Sequence, residues 1–262
     1  MTDRAARVHI AHPNFFRPAM QPRSGLLETV KTLVYAVAIA LGIRTFLFEP
    51  FNIPSASMVP TLLIGDYLFV SKFTYGYSFA SLPYGLKLFD GRIAGSAPER
   101  GDVVVFKLPR DDKTDYIKRV VGLPGDRIRV TGGVLHINGE AAGLRRLPDF
   151  VDDDRGFALR YAQFVETLPG GREHRILKMT NEGAYNNTQE YVVPAGHFFA
   201  MGDHRDNSQD SRDLQAVGFV PFENIVGRAQ ILFFSTDGSA NLLLPWTWFT
   251  AARYSRLLDA VR

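Results

Sequence analysis

LLETVKTLVYAVAIALGIRTFLF, residues 26–48, decides how the rest of the chain is disposed. It is apolar almost throughout, yet its uncharged part, from Thr32 to Ile43, is only 12 residues long. A bilayer core takes roughly 20 residues of helix, so a span requires Lys31 and Arg44 near the two interfaces, their stems in lipid and their charged heads in water. On that basis a transmembrane helix is predicted over 26–48. Two alternatives are a buried amphipathic helix and a cleavable targeting segment with Ala38-Ile39-Ala40 as its cut site. The second is the weaker, because those alanines sit inside the apolar run and Arg44 is followed at once by more apolar sequence.

Working outward to the N-terminal side, Arg4, Arg7, Arg17 and Arg23 stand against the single Asp3. The positive-inside bias therefore predicts a cytoplasmic tail over 1–25 and places 49–262 on the other side of the membrane. On the C-terminal side the texture changes to short runs with β character: DVVVF (102–106), YIKRVV (116–121), RIRV (127–130), VLHI (134–137), HFFAM (197–201) and QILFF (230–234). Turn residues separate them, and Gly132-Gly133 between two alternating runs reads as a tight hairpin. A mostly β domain is predicted after a single N-terminal helix. Residues 139–187 are more polar and richer in glycine, which marks an inserted subdomain. Near the end, WTWFTAARYSRLLDAVR (246–262) mixes aromatic and basic residues, the pattern either of an interfacial helix or of a C-terminal helix packed on its own domain.

The chain has 262 residues, 46% hydrophobic and 22% charged, enough for one or two domains with a core. Its formal charge of +3 is spread along the sequence with no dense basic block, which argues against nucleic acid as a partner. The absence of cysteine excludes disulfides, thiolate metal sites and a cysteine nucleophile.

Directly after the predicted span, PFNIPSASMVPTL (50–62) contains three prolines that stop a helix and stiffen the backbone. Ser55 and Ser57 in this loop offer a nucleophile and a hydrogen-bond donor, although such a loop is ordinarily a juxtamembrane connector. A serine hydroxyl needs a base. Among six histidines only His204, in MGDHRD (201–206), has a setting suggestive of chemistry. Lysine serves equally well if a dry or cationic environment keeps it neutral. Along YIKRVV, period-2 alternation sets Tyr116, Lys118 and Val120 on one face and Ile117, Arg119 and Val121 on the other. Each face holds one cation among apolar residues, so alternation does not separate Lys118 from Arg119. The guanidinium is too weak an acid to give a base.

Five segments in order, IPSASMVPTLLIGDYLFVSKF (53–73), RGDVVVFK (100–107), DYIKRVVGLPGD (115–126), GDHRDNSQDSR (202–212) and GFVPFENIVGRA (218–229), resemble the ordered sequence boxes of type I signal peptidases. The resemblance implies a membrane-bound serine endopeptidase without metal or cofactor, acting on preprotein signal peptides after an A-x-A pattern of small residues. It implies a bacterial inner-membrane location with the catalytic domain facing the periplasm or exterior, in contact with the lipid bilayer. Ser57 matches the nucleophile and Lys118 the general base. Ser55 matches an oxyanion donor, Ser208 a serine that orients the lysine, and Asp210 with Arg212 a supporting ion pair. Ile53, Met58 and Ile117 match positions lining the substrate pockets. Ala56 stands where glycine is commoner, and His204 where asparagine is. Against this stands a membrane-tethered β module that binds or assembles without catalysis, its Ser57 and Lys118 merely structural.

Overall fold

The computed structural model describes residues 25–85, 87–152, 158–240, 244 and 246–262. Residues 1–24 of the tail expected in the cytoplasm, and 153–157 of the expected insertion, lie outside them. The chain forms two compact units, one up to Ala40 and one from Leu41 to Arg262.

Helix α1 (Leu26–Phe46) is 21 residues long, about 31 Å at 1.5 Å per residue, and is apolar enough to cross a membrane. None of its residues is buried by protein. Glu28 in the first turn and Arg44 in the last oppose the helix dipole in the favourable sense. The helix stops two residues short of the expected end because Phe48 already pairs with Ser71 in a sheet, and the Leu47 carbonyl accepts from Lys72 N at 3.0 Å.

The larger unit is mostly β, as expected. Its first strands are β1 (Phe48–Asn52), β2 (Asp66–Ser71), β3 (Val103–Lys107) and β4 (Asp115–Gly122). A hairpin of β5 (Arg127–Thr131) and β6 (Val134–Ile137) comes next, then β7 (Glu140–Ala141), β8 (Gly143–Arg146), β9 (Phe150–Asp152), β10 (Leu159–Thr167) and β11 (Glu173–Lys178). The chain closes with β12 (Tyr191–Val192), β13 (His197–Met201), β14 (Val220–Pro221) and β15 (Ile225–Ser235). Antiparallel pairing builds a seven-stranded sheet in the order β1-β2-β15-β3-β4-β13-β14 and a smaller one ordered β12-β5-β6-β7. The β5–β6 turn is made by Gly132 and Gly133, both at positive φ (56° and 72°), the two-residue hairpin their sequence predicts.

The run VVVF in β3 lacks alternation because both faces of the large sheet are covered. Val103 and Val105 enter one core with Met58, Leu62 and Leu68, while Val104 and Phe106 enter another with Val120 and Phe198. Residues within 143–178, in the stretch expected as an insertion, form a sheet of their own from β8, β10 and β11, with β9 paired to β10. The C-terminal stretch is neither of the helices expected. Thr247–Ala251 (α2) is α-helical and Tyr254–Arg256 makes a single 3-10 turn. Beyond that turn the chain runs as a strap along β15, with Leu258 N donating to Leu232 O at 2.8 Å and Val261 N to Gln230 O at 2.9 Å. The β15 carbonyls and amides left open beyond the end of β3 give it partners that an isolated helix would not satisfy.

Candidate active site

Ser57 sits in a three-residue helical turn, Ala56–Met58, just after Pro54 and Ser55. Met58 and Leu62, both fully buried, plug this turn into the core, and Leu62 N donates to Met58 O at 2.9 Å. The Ser57 carbonyl accepts from His204 N at 3.1 Å, which ties the turn to the loop after β13. The hydroxyl is thereby fixed from behind while its tip faces β4.

Lys118 lies mid-way along β4, opposite Val104 on β3. Its Nζ stands 2.6 Å from Ser57 Oγ, and the lysine is only 4% exposed. Burial pushes its pKa from 10.5 down to about 8, a fall that the carboxylates of Asp210 and Asp203 moderate. The Ser55 hydroxyl is 3.4 Å from Ser57 Oγ. Arg119, on the other side of the strand, grips Asp203 through Nε (2.8 Å to Oδ1) and Nη2 (2.6 Å to Oδ2).

Beneath Ser57, Gly202 leaves no room for a side chain: a Cβ there would come within 2.2 Å of Ser208 Oγ and 2.5 Å of the Ser57 carbonyl. Gly202 N donates to Asp210 Oδ2 at 3.0 Å, and Arg212 binds the same carboxylate through Nε and Nη2, each at 2.8 Å. Although burial alone would raise the Asp210 pKa, the Arg212 guanidinium holds it below the usual carboxylate range. In front of the pair opens a cleft of about 500 Å³, lined by residues 51–57, 115–118, Val105, Asn207 and Gln209.

A serine hydroxyl 2.6 Å from a buried, easily neutralised lysine beside an apolar cleft is an arrangement able to serve as nucleophile and base without a histidine. Residues 26–234 match the model of the family described as signal peptidase, peptidase S26. The chain belongs to the signal peptidase family. A signal peptidase I from Rickettsia typhi is 40% identical over 251 residues, covering 88% of this chain and 93% of its own. The signal peptidase I of Rickettsia canadensis is 39% identical over 244 residues, covering 87% and 90%. Among solved structures, a signal peptidase I from Enterococcus faecalis is 25% identical, covering 51% of this chain and 97% of its own, with a TM-score of 0.29.

In this signal peptidase Ser55, Ser57, Lys118, Ser208, Asp210 and Arg212 gather around one point. Ile53 and Ile117 line the cleft. Met58 does not: it is fully buried among Ile53, Leu62 and Leu68, on the core side of the turn. Ser208 Oγ is buried and acts as a hydrogen-bonding neighbour of the Asp210 carboxylate; among the described residues it makes no hydrogen bond to Lys118. The His204 side chain packs edge-on against Tyr161, ring centroids 5.0 Å apart, and reaches Ser57 only through its backbone. Sequence reasoning passed over Tyr116 and Gln209. The Tyr116 hydroxyl donates to Gln209 Oε1 at 3.0 Å across the cleft, and its ring centroid is 5.3 Å from Lys118 Nζ. Tyr116 shares a strand face with Lys118, the one signal that pointed to it. Nothing in the sequence pointed to the link from Thr61 Oγ1 to Asp203 Oδ2, 2.5 Å.

Proposed function

We propose that Ser57 is the nucleophile and Lys118 the general base with which this membrane-bound serine endopeptidase removes signal peptides. The observation that carries this is the 2.6 Å approach of Nζ to Oγ together with the low pKa of the lysine. Neutral Lys118 takes the Ser57 proton as Oγ attacks the scissile carbonyl. The oxyanion that forms is met by the Ser57 N–H and the Ser55 hydroxyl, where the loss of one donor typically costs roughly 10²–10³ in rate. Lys118 then returns the proton to the leaving amine. An ester of Ser57 remains, and water activated by the same amine hydrolyses it and restores the hydroxyl. Asp210 and Arg212 hold Gly202, and through it the floor under Ser57.

Phe51, Ile53, Val105 and Ile117 give the cleft apolar walls, which favours small side chains before the cut, as in the A-x-A pattern. The chain is a single-pass protein of the bacterial inner membrane with its catalytic domain outside the cytoplasm, and its partners are preprotein signal peptides and the lipid bilayer. Cleavage of a model preprotein by detergent-solubilised protein, with products mapped by mass spectrometry, tests the assignment. Wild type is expected to cut after A-x-A, and Ser57→Ala and Lys118→Met to be folded and inactive. Activity retained in Lys118→Met would move the base elsewhere.

A further inference from the structure

The family match ends at residue 234, yet the chain beyond it returns to the loop that carries Ser57. Arg256 Nη2 donates to the Thr61 carbonyl at 3.0 Å, and its guanidinium also binds the fully buried Asp66, with Nε 3.0 Å from Oδ1 and Nη2 2.5 Å from Oδ2. Asp66 in turn accepts from Leu63 N at 2.8 Å. Arg253 Nη1 donates to the Ile64 carbonyl at 2.9 Å. At the far end of the strap, Val261 packs against the cluster that holds Ile53, Met58 and Leu62. The Arg262 carbonyl accepts from Arg119 Nη2 at 3.1 Å.

These contacts fall on both halves of the catalytic pair. On the serine side they hold residues 61–66, the limb on which the Ser57 turn rests. Thr61 hands its hydroxyl to Asp203, and the next residue, His204, holds the Ser57 carbonyl. On the lysine side they reach Arg119, the neighbour of Lys118 on β4. The strap itself is fixed by its backbone bonds to β15.

We infer that the strap Arg253–Arg262, through Arg256 above all, is a positioning element that holds the Ser57 loop in register with Lys118. The inference deepens the proposed Ser57/Lys118 reading and rests on it. A pair of reacting groups loses rate steeply when its geometry loosens, and a displacement near 1 Å costs up to about a hundredfold. Arg256 touches no reacting atom, so its effect should appear in turnover rather than in substrate affinity.

The test uses the full-length protein in detergent with a preprotein substrate, kcat and KM measured across pH and active sites counted with an acylating serine reagent. Arg256→Met is expected to lower kcat about tenfold with KM within about twofold, and to move the pH midpoint of kcat/KM. Because Arg256→Met also strips a cation from buried Asp66, two further variants separate positioning from stability. Arg172→Met removes a cation from another buried carboxylate, Asp102, bound at 2.8 Å away from the Ser57 loop, and is expected to lose melting temperature but keep kcat. Arg256→Lys keeps a cation for Asp66 but not the fork that also reaches Thr61. It is expected to keep its melting temperature and lose about threefold in kcat. Wild-type kcat in Arg256→Lys, or losses in all three variants that merely track melting temperature, would overturn the inference. Failure of the dyad reading would look different: it would leave Lys118→Met active whatever Arg256 does.

Discussion

Lys118 is held where a lysine is least comfortable, and two pH dependences arise from its pKa of about 8 against the ordinary 10.5. As a base it must be neutral, so kcat/KM should rise with pH and level off above about 8. Its effect on folding runs in the same direction. Below pH 8 the group is charged in both states, and the native fold bears the full burial penalty, about 3 kcal/mol at 1.36 kcal/mol per pH unit. Between 8 and 10.5 the unfolded chain binds more protons than the native one, so stability climbs with pH. Lys118→Met should therefore be inactive yet more stable than wild type at pH 7, by up to about 3 kcal/mol, with the gap closing by pH 10.5. Urea unfolding of both proteins at the two pH values measures it, and a variant less stable at pH 7 would contradict the burial penalty. Sequence alternation left Lys118 and Arg119 equivalent because each is a lone cation among apolar neighbours. What distinguishes them is Asp203, 84 residues from Arg119, which neutralises the one and leaves the other free to face Ser57. Met58 was misplaced for a related reason: an apolar residue beside a nucleophile fits a pocket wall and a core plug equally well, and only the direction of the turn decides.

At the scale of elements, the strands β3 and β4 and the glycine hairpin were legible because their patterns are local. The sheet inside 143–178 was not, because charged residues interrupt it. Glu166 on β10 and His174 on β11 are buried, where Arg205 from the 202–212 loop forks onto Glu166 and His174 Nε2 lies 3.3 Å away. Although burial pushes the Glu166 carboxyl up, Arg205 and His174 hold it below the usual carboxylate range. This ion cluster joins the small sheet to the 202–212 loop, so its loss should be felt by both. Glu166→Ala strands a buried guanidinium and should destabilise the domain by about 3–5 kcal/mol. A drop in the denaturation midpoint accompanied by lower kcat is the expected outcome, and an unchanged midpoint would mean that Arg205 finds another partner. The strand β15 was seen only as QILFF because its register shifts after Ile225, Ala229 and Leu232 break the alternation. The strap after it reads as helical from its mix of aromatic and basic residues, whereas its backbone partners lie on β15, invisible to any local pattern.

For the whole molecule, the division at Ala40 falls within the exposed apolar helix and leaves all of the proposed chemistry in the larger unit. The Ser57 and Lys118 pair is built without any group from residues 26–40, so the expected service of the helix to catalysis is concentration. A substrate whose own apolar segment lies in the same bilayer meets the enzyme as if tethered to it, and such tethering raises apparent affinity by about 10²–10⁴ without a new contact. Removal of residues 1–40 should then split two measurements that coincide for an intact active site. On a short soluble peptide with small residues before the cut, kcat and KM should stay within about twofold of the full-length values. On preprotein inserted in vesicles, cleavage should slow by about a hundredfold or more. Equal losses on both substrates would mean that the helix shapes the cleft itself. Equal retention on both would mean that the β unit finds the bilayer without its anchor, through the aromatic side chains it exposes at Phe48, Phe73, Trp246 and Phe249.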